Sequence, residues 1–244
     1  HLSYAVPRYS VDASLFFERP FEWFGEQQLQ TLEPRLLWVK SPYREDQQAV
    51  PNFDTAATTV SYASLFSGDR FSGDDRLADL DQISLGITSR WLNERGEERL
   101  RGSIGRIFYQ QDRRIQLTDD MAEDSDTSST LAEWQWMPAD ALRIYNTLEW
   151  EPYQDFFRQQ RLGIRYHPDS NHLINVAWNT DRRFDSDNNN ILTNNRQLDV
   201  GMFWSINDRW ALVGRLLRDL KDYDDGELRP LNPVLESIAG LEYQ

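Results

Sequence analysis

The sequence predicts an all-β protein: an antiparallel transmembrane β-barrel segment of about eleven strands, part of a larger barrel. Three observations predict it. Apolar and polar residues alternate over segments of about ten residues, the length of a tilted membrane strand. Short and long connections alternate along the chain. No stretch of the 244 residues approaches the ~18 consecutive apolar residues of a membrane helix, so any span must be made of strands.

The alternation is clearest at 198–205. Leu198, Val200, Met202 and Trp204 point one way from an extended backbone, and Asp199, Gly201, Phe203 and Ser205 the other. Leu142, Ile144, Leu148 and Trp150 repeat the pattern against Arg143, Tyr145, Thr147 and Glu149. Ile83, Leu85, Ile87 and Trp91 do so again, as do Ile174, Val176 and Trp178. Arginines and carboxylates fill many opposite positions, so one face is apolar and the other wet, as a membrane barrel with a hydrated interior requires.

The elements follow in order. Strand cores at 8–18 and 27–40 flank a short connection at 19–26, and a long polar connection occupies 41–81. Residues 58–66 within it would, as a strand, reverse the direction of everything that follows; they are assigned to the loop, as a helical turn. Cores at 82–92 and 97–110 flank the short 93–96, and a long connection follows at 111–129. Next come 130–137 and 141–150 around 138–140, with 151–155 the shortest of the long class. Cores 156–167 and 172–182 flank 168–171, before the long 183–195. Cores 196–206 and 209–220 flank 207–208, and 221–232 leads to the last core, 233–243. In a barrel the short class are periplasmic turns and the long class extracellular loops. An odd count is unusual for a closed bacterial barrel, which places this segment in a larger sheet.

Two details test the scheme. Trp91, Trp204 and Trp210 sit at short-turn ends, and Trp38 and Trp150 at long-loop ends, as an interfacial aromatic girdle demands. The alternative is the core of a β-sandwich, where aromatics also abound. Strand 97–110 resists: Arg106 follows Leu100 and Ile104 onto the apolar side, where arginine at mid-depth costs ~2–4 kcal/mol. A bulge near Gly105 would turn Arg106 inward and send Ile107 and Tyr109 outward.

Composition bounds the function. On composition alone a soluble all-β domain is the commoner class, and mean hydropathy of −0.69 does not separate the two, since half of each barrel strand faces water. A net charge of −14 argues against nucleic-acid binding. Lys40 and Lys221 are the only lysines, so cationic chemistry here is arginine chemistry, suited to bidentate contact with carboxylate and phosphate, although a GC-rich genome explains the bias equally well. Cysteine is absent, which excludes disulfides and thiolate metal sites within this stretch. His1, His167 and His172 form no metal or nucleophile triad, and no Gly-x-Ser-x-Gly or phosphate loop occurs. No catalytic, cofactor or metal site is expected, and the protein is not expected to be an enzyme. The opening residues lack a signal-peptide pattern; an exported barrel is then expected to begin upstream, making this a mature fragment.

Specific wording is concentrated in residues 8–116. It runs from Thr31-Leu32-Glu33-Pro34-Arg35 and Pro42-Tyr43-Arg44 through Pro51-Asn52-Phe53-Asp54-Thr55, Leu65-Phe66 and Asp69-Arg70-Phe71-Ser72-Gly73-Asp74-Asp75-Arg76. Asp79, Gln82, Leu85-Gly86-Ile87-Thr88-Ser89-Arg90, Ser103-Ile104-Gly105-Arg106-Ile107-Phe108-Tyr109 and Asp112-Arg113-Arg114 complete it. Together these resemble the carboxy-terminal barrel region of the LptD family of outer-membrane lipopolysaccharide-assembly proteins. The remainder resembles the family in strand rhythm and in Ile238-Ala239-Gly240-Leu241-Glu242-Tyr243. The resemblance implies a ~26-strand barrel in the Gram-negative cell outer membrane, with lipopolysaccharide as cargo and an LptE-like lipoprotein as plug. It also implies an LptA-like periplasmic bridge that docks through an N-terminal jellyroll, and release between the first and last strands. The chain departs from the family in lacking that jellyroll, the early strands, the cysteines and the closing strands. The whole chain reads as one barrel segment, 1–244, in which 41–81 is a long extracellular loop folding over the lumen. A porin-like or scaffolding outer-membrane barrel is the alternative reading, and a soluble sugar- or protein-binding β-sandwich the third.

Candidate lumen-facing residues are Arg90, Arg99, Arg101, Arg143, Glu149, Arg161, Arg165, Asp199 and Arg215, with Glu236 and Glu242. They would meet sugar or a plug protein, or satisfy one another across strands. Loop candidates are Asp69, Arg70, Phe71, Gly73, Asp75, Arg76 and Asp79. Their acids and arginines, with Asp74, would form a salt-bridge knot holding the loop as a lid. A calcium site is the alternative, without the spacing of an EF-hand.

Overall fold

The computed structural model describes residues 6–23, 25–44, 56–57, 61–72, 78–115, 125–153, 155–184, 191–220 and 233–243. Its strands are β1 (Tyr9–Ser14), β2 (Phe17–Trp23), β3 (Glu26–Ser41), β4 (Ala56–Ala57), β5 (Phe71–Ser72), β6 (Leu80–Leu92), β7 (Glu98–Tyr109), β8 (Thr130–Ala139), β9 (Leu142–Glu151), β10 (Phe156–Asp169), β11 (His172–Phe184), β12 (Ile191–Asn207), β13 (Trp210–Asp219) and β14 (Val234–Tyr243). A 12-stranded sheet has the order β1-β3-β6-β7-β8-β9-β10-β11-β12-β13-β14, with β2 also on β3, while β4 and β5 pair with each other. The all-β, sequentially antiparallel expectation holds. By contact density the chain divides into two compact units, His1–Glu94 with Gly102–Ala132, and Arg95–Arg101 with Glu133–Gln244.

In the first unit, the core expected at 8–18 and part of the turn expected at 19–26 form β1 and β2, both paired with β3. Ser14 faces Arg35 and Phe17 faces Leu32, so one register continues across the gap. The gap is a missing donor. The Leu15 N–H reaches the Pro34 carbonyl at 3.0 Å, but Pro34 has no N–H to return. The two strands are therefore one crossing, which reconciles twelve strands with the expected eleven or so. Pro20, opposite Leu29, falls on the alternate parity, which directs its ring nitrogen away from β3. At the hairpin, Gly25 takes φ 80°, the left-handed conformation that a tight turn needs.

Pairing of β3 directly with β6, from Leu29↔Leu92 to Ser41↔Leu80, makes 42–79 a single connection, slightly shorter than the 41–81 expected. A 3₁₀ turn, Ala63–Phe66, lies within the stretch where the helical turn is expected, while 58–60 fall outside the described residues. The bulge expected near Gly105 is not formed. A Cβ on Gly105 would lie 2.8 Å from Leu65 Cδ1, and Ile107 packs on the same side into the cluster that holds Leu65. Arg106 stays with exposed Ile104 and Phe108. Its guanidinium donates to the Ser128 carbonyl at 2.9 Å and to the Thr127 hydroxyl, and lies 5.9 Å from the Phe108 ring. With its donors met at the end of the strand, the charge needs no change of parity.

In the second unit the registers of β9 to β13 align side chains into rows. Ile144, Ile164, Val176, Val200 and Leu216 form one apolar row; Leu162, Trp178 and Leu198 begin the next. The opposite face carries Arg143, Arg165, Asn175, Gly201 and Arg215 in one row and Thr147, Arg161, Asn179, Gln197 and Asp219 in another. β12 begins at Ile191 rather than near residue 196, because the backbone of Thr193–Asn195 pairs with that of Asp181–Arg183 in a polar stretch of sequence with no hydrophobic rhythm. Many apolar residues remain exposed in each unit, including Val11, Leu36, Ile87, Ile164, Leu212 and Leu241. Such area requires a partner medium.

Val200→Arg, mid-row on the apolar face, is expected to cost about 2–4 kcal/mol in the protein refolded into lipid vesicles. Arg143→Glu, on the opposite face, is expected to cost less than about 1 kcal/mol. Urea unfolding followed by tryptophan fluorescence measures both, and equal losses would refute the assigned polarity.

Candidate functional site

The charged face is the candidate site, and each unit builds it differently. In the first unit a docked loop covers part of it. Odd-numbered β3 residues and even-numbered β6 residues share this face by register: Thr31 with Arg90, Glu33 with Thr88, Arg35 with Gly86, Leu37 with Ser84 and Val39 with Gln82. Arg90 Nε lies 3.1 Å from Glu33 Oε1, which also accepts from Thr31 Oγ1 at 2.8 Å. Thr88 and Ser103 hydroxyls share a 2.9 Å hydrogen bond. These are cross-strand satisfactions of the kind that let polar groups tile a sheet.

Toward the other end of the face, the loop's 3₁₀ turn sits directly on backbone. A Cβ on Gly86 would lie 2.6 Å from Tyr62 Oη and 2.8 Å from Phe66 Cζ. One on Gly105 would lie 2.8 Å from both Leu65 Cδ1 and the Leu85 carbonyl oxygen. Two glycines on neighbouring strands thus form a seat that no other residue type allows. Arg35 stacks 4.6 Å from the Phe66 ring centroid while pairing with Asp12 at 2.5 Å. Leu65, Phe66 and Phe71 are buried in one cluster with Leu37, Val39, Leu80, Ile115 and Leu131.

Among the described residues, the loop's contacts reach beyond the loop itself, and the knot expected with Asp74, Asp75 and Arg76 falls on positions outside them. Asp69 binds Arg8 at 3.0 Å. Arg70 donates to the Ile115 carbonyl at 3.1 Å and lies 5.3 Å from the Phe71 ring. Asp79, 1% exposed, accepts the backbone N–H groups of Arg114 at 2.9 Å and Ile115 at 3.0 Å. A buried carboxylate needs donors, and two aligned amides supply them as well as an arginine does. Gly73, Asp74, Asp75 and Arg76 lie outside the described residues. Arg113, buried and stacked 3.6 Å from the Tyr109 ring, donates to Ser125. Sequence reasoning missed Tyr62 and Arg113 as structural anchors; the i, i+4 aromatic pair Tyr62–Phe66 was the available signal for the first.

In the second unit the face is open and rich in arginine. Arg99 pairs with Asp140 at 2.7 Å and Glu97 at 2.9 Å, near the β8–β9 turn. Glu149 is buried and lies 3.4 Å from Arg158, the extra residue where the β9–β10 register shifts between Phe157 and Gln159. Arg215 bridges Asp199 at 3.4 Å and Glu236 at 3.2 Å across three strands. Glu242 lies on the same face, opposite Ala211. Arg101, Arg143, Arg161 and Arg165 line a cleft of about 380 Å³. Within the second unit these candidates form separate clusters rather than one centre.

Comparison with known proteins adds a family. The family model described as LPS transport system D, LptD, matches residues 1–210. An LPS-assembly protein LptD of Pseudomonas savastanoi pv. phaseolicola is 32% identical, over 99% of this chain and 28% of that protein. Those of Ectopseudomonas mendocina and Alkalilimnicola ehrlichii are each 33% identical over 98% of the chain, covering 28% and 30% of their own lengths. The chain therefore spans under a third of these relatives.

Gly86→Ala is expected to lift the 61–72 segment from its seat at a cost of about 1–3 kcal/mol, read as faster proteolysis there. Asp79→Ala is expected to strand two amides at a cost of about 1–3 kcal/mol for each. Faster hydrogen exchange at Arg114 and Ile115 reports it. Unchanged rates in both variants would contradict the docking.

Proposed function

This chain belongs to the LptD family, and we propose that it forms part of the wall of an outer-membrane barrel that assembles lipopolysaccharide at the outer leaflet of Gram-negative cells. The observation that carries the proposal is the division of each unit into an exposed apolar face and a charged one. Lipopolysaccharide has acyl chains that favour hydrocarbon and a phosphorylated, sugar-rich portion that does not. Moving the polar portion through hydrocarbon unpaired is prohibitive. A wall with lipid on one side and a hydrated lumen on the other gives each half its preferred solvent. The role is one of transport without bond chemistry, so it needs no catalytic group. On this reading 41–81 is the extracellular loop that folds over the lumen, an LptE-like lipoprotein plugs it, and an LptA-like bridge feeds cargo through a periplasmic jellyroll.

A region swap tests it. The corresponding part of the Pseudomonas protein is replaced by this sequence, the native copy is depleted, and surface lipopolysaccharide is followed. Restored surface delivery and co-purification of the plug lipoprotein are the expected results. A swapped protein that folds and inserts while lipopolysaccharide accumulates in the periplasm would overturn the assignment. Deleting 69–79 from that protein is expected to weaken plug docking or the permeability barrier while leaving a heat-modifiable barrel on gels.

A further inference from the structure

Most charged residues on the inner face have partners: Arg90 with Glu33, Arg99 with Asp140, Arg215 with Asp199 and Glu236. The cleft on β9 and β10 breaks that rule. Arg143 and Arg165 are directly opposite each other across the two strands, an arrangement that like charges disfavour. Arg161 follows on the same face of β10. Among the described residues none of the three has a carboxylate within ion-pair distance, and the one polar contact of Arg143 is with the Met137 sulfur at 3.9 Å. Glu133 lines the same cleft, against four arginines, so positive charge is in excess there, in a chain of net charge −14 where carboxylates outnumber cationic side chains 40 to 26.

The floor of the cleft is specific too. The Tyr145 ring covers Gly163 on β10, where an added Cβ would be 2.2 Å from Tyr145 Cζ. Its hydroxyl reaches Asn175 Oδ1 at 3.3 Å, which fixes the ring from the β11 side. Arg161 lies 5.9 Å from the ring centroid. An aromatic plate with guanidinium groups beside it has two complementary parts. The plate offers a surface for the C–H face of a pyranose, and the guanidinium forks suit the oxygens of phosphate or carboxylate. At about 380 Å³ the cleft accommodates one sugar unit.

We propose that this cleft is a binding site for an anionic saccharide, with Arg143, Arg161 and Arg165 holding its phosphate or carboxylate and Tyr145 carrying the sugar ring. The inference rests on the reading that this face lines a hydrated lumen, and it names a station within that lumen.

The test uses the full-length protein in detergent, titrated calorimetrically with glucose 1,6-bisphosphate, glucose 1-phosphate, glucuronate, inorganic phosphate and glucose. Saturable binding of the anionic sugars, with glucose 1-phosphate ahead of inorganic phosphate, is expected; the ranking of glucuronate against glucose 1-phosphate identifies the preferred anion. Arg143→Gln combined with Arg165→Gln is expected to weaken binding at least tenfold, and Tyr145→Ala to remove the advantage of sugar phosphate over phosphate. Arg209→Gln, in the β12–β13 turn, is expected to change nothing. Heat-modifiability on gels verifies folding, and Arg143→Lys with Arg165→Lys replaces the glutamine pair if that variant does not assemble. No saturable binding, or equal affinity in the double variant, overturns the site. Equal binding of phosphate and sugar phosphate overturns the saccharide part. Failure here with surface delivery intact in the region swap sinks the site alone; binding here without delivery there sinks the transport reading instead.

Discussion

Backbone hydrogen bonding governs this molecule. A sheet in which each strand pairs with the next meets the polar groups of the main chain without help from solvent, and it frees the two faces to differ. Everything else follows from the period of two. Residues such as Val176 and Val200 meet across strands on one side only because Ala177 and Asp199 meet on the other. Pro34 shows how little the ladder tolerates. One absent N–H is enough to divide a continuous crossing into two strands, although the register on either side is unchanged.

Charge on the polar face is handled by short-range pairing. Thr31, Glu33 and Arg90 form one set, Asp199, Arg215 and Glu236 another, each spanning neighbouring strands. Such pairs hold side chains in place at small net energy, since water competes for them. The docked loop uses a different device. Gly86 and Gly105 remove two side chains from the face, and Tyr62, Leu65 and Phe66 occupy the space they leave.

Much of this was legible in the sequence because alternation and turn spacing report directly on which face a residue takes. The parity argument that kept 58–66 out of the sheet needed only the requirement that successive strands run in opposite directions. The turn expected at 19–26 proved shorter because Glu18–Glu22 has no apolar rhythm, yet β3 offers it a partner ladder. The early start of β12 was hidden for the same reason. Arg106 was misread because its cost on the apolar side was counted without the Ser128 carbonyl and Thr127 hydroxyl, which come from a connection far along the chain. Which partner an acid chooses is likewise a tertiary fact. Nothing near Asp79 in sequence announces the amides of Arg114 and Ile115.

That last contact couples two segments the sequence keeps apart. The connection leading into β6 grips the one leaving β7, by Asp79 on two amides and by Arg70 on the carbonyl of Ile115. Ile115 is thereby clamped at both its amide and its carbonyl, and its side chain is buried in the shared cluster. The two straps are riveted at one residue. Displacing Ile115 would therefore disturb both connections at once.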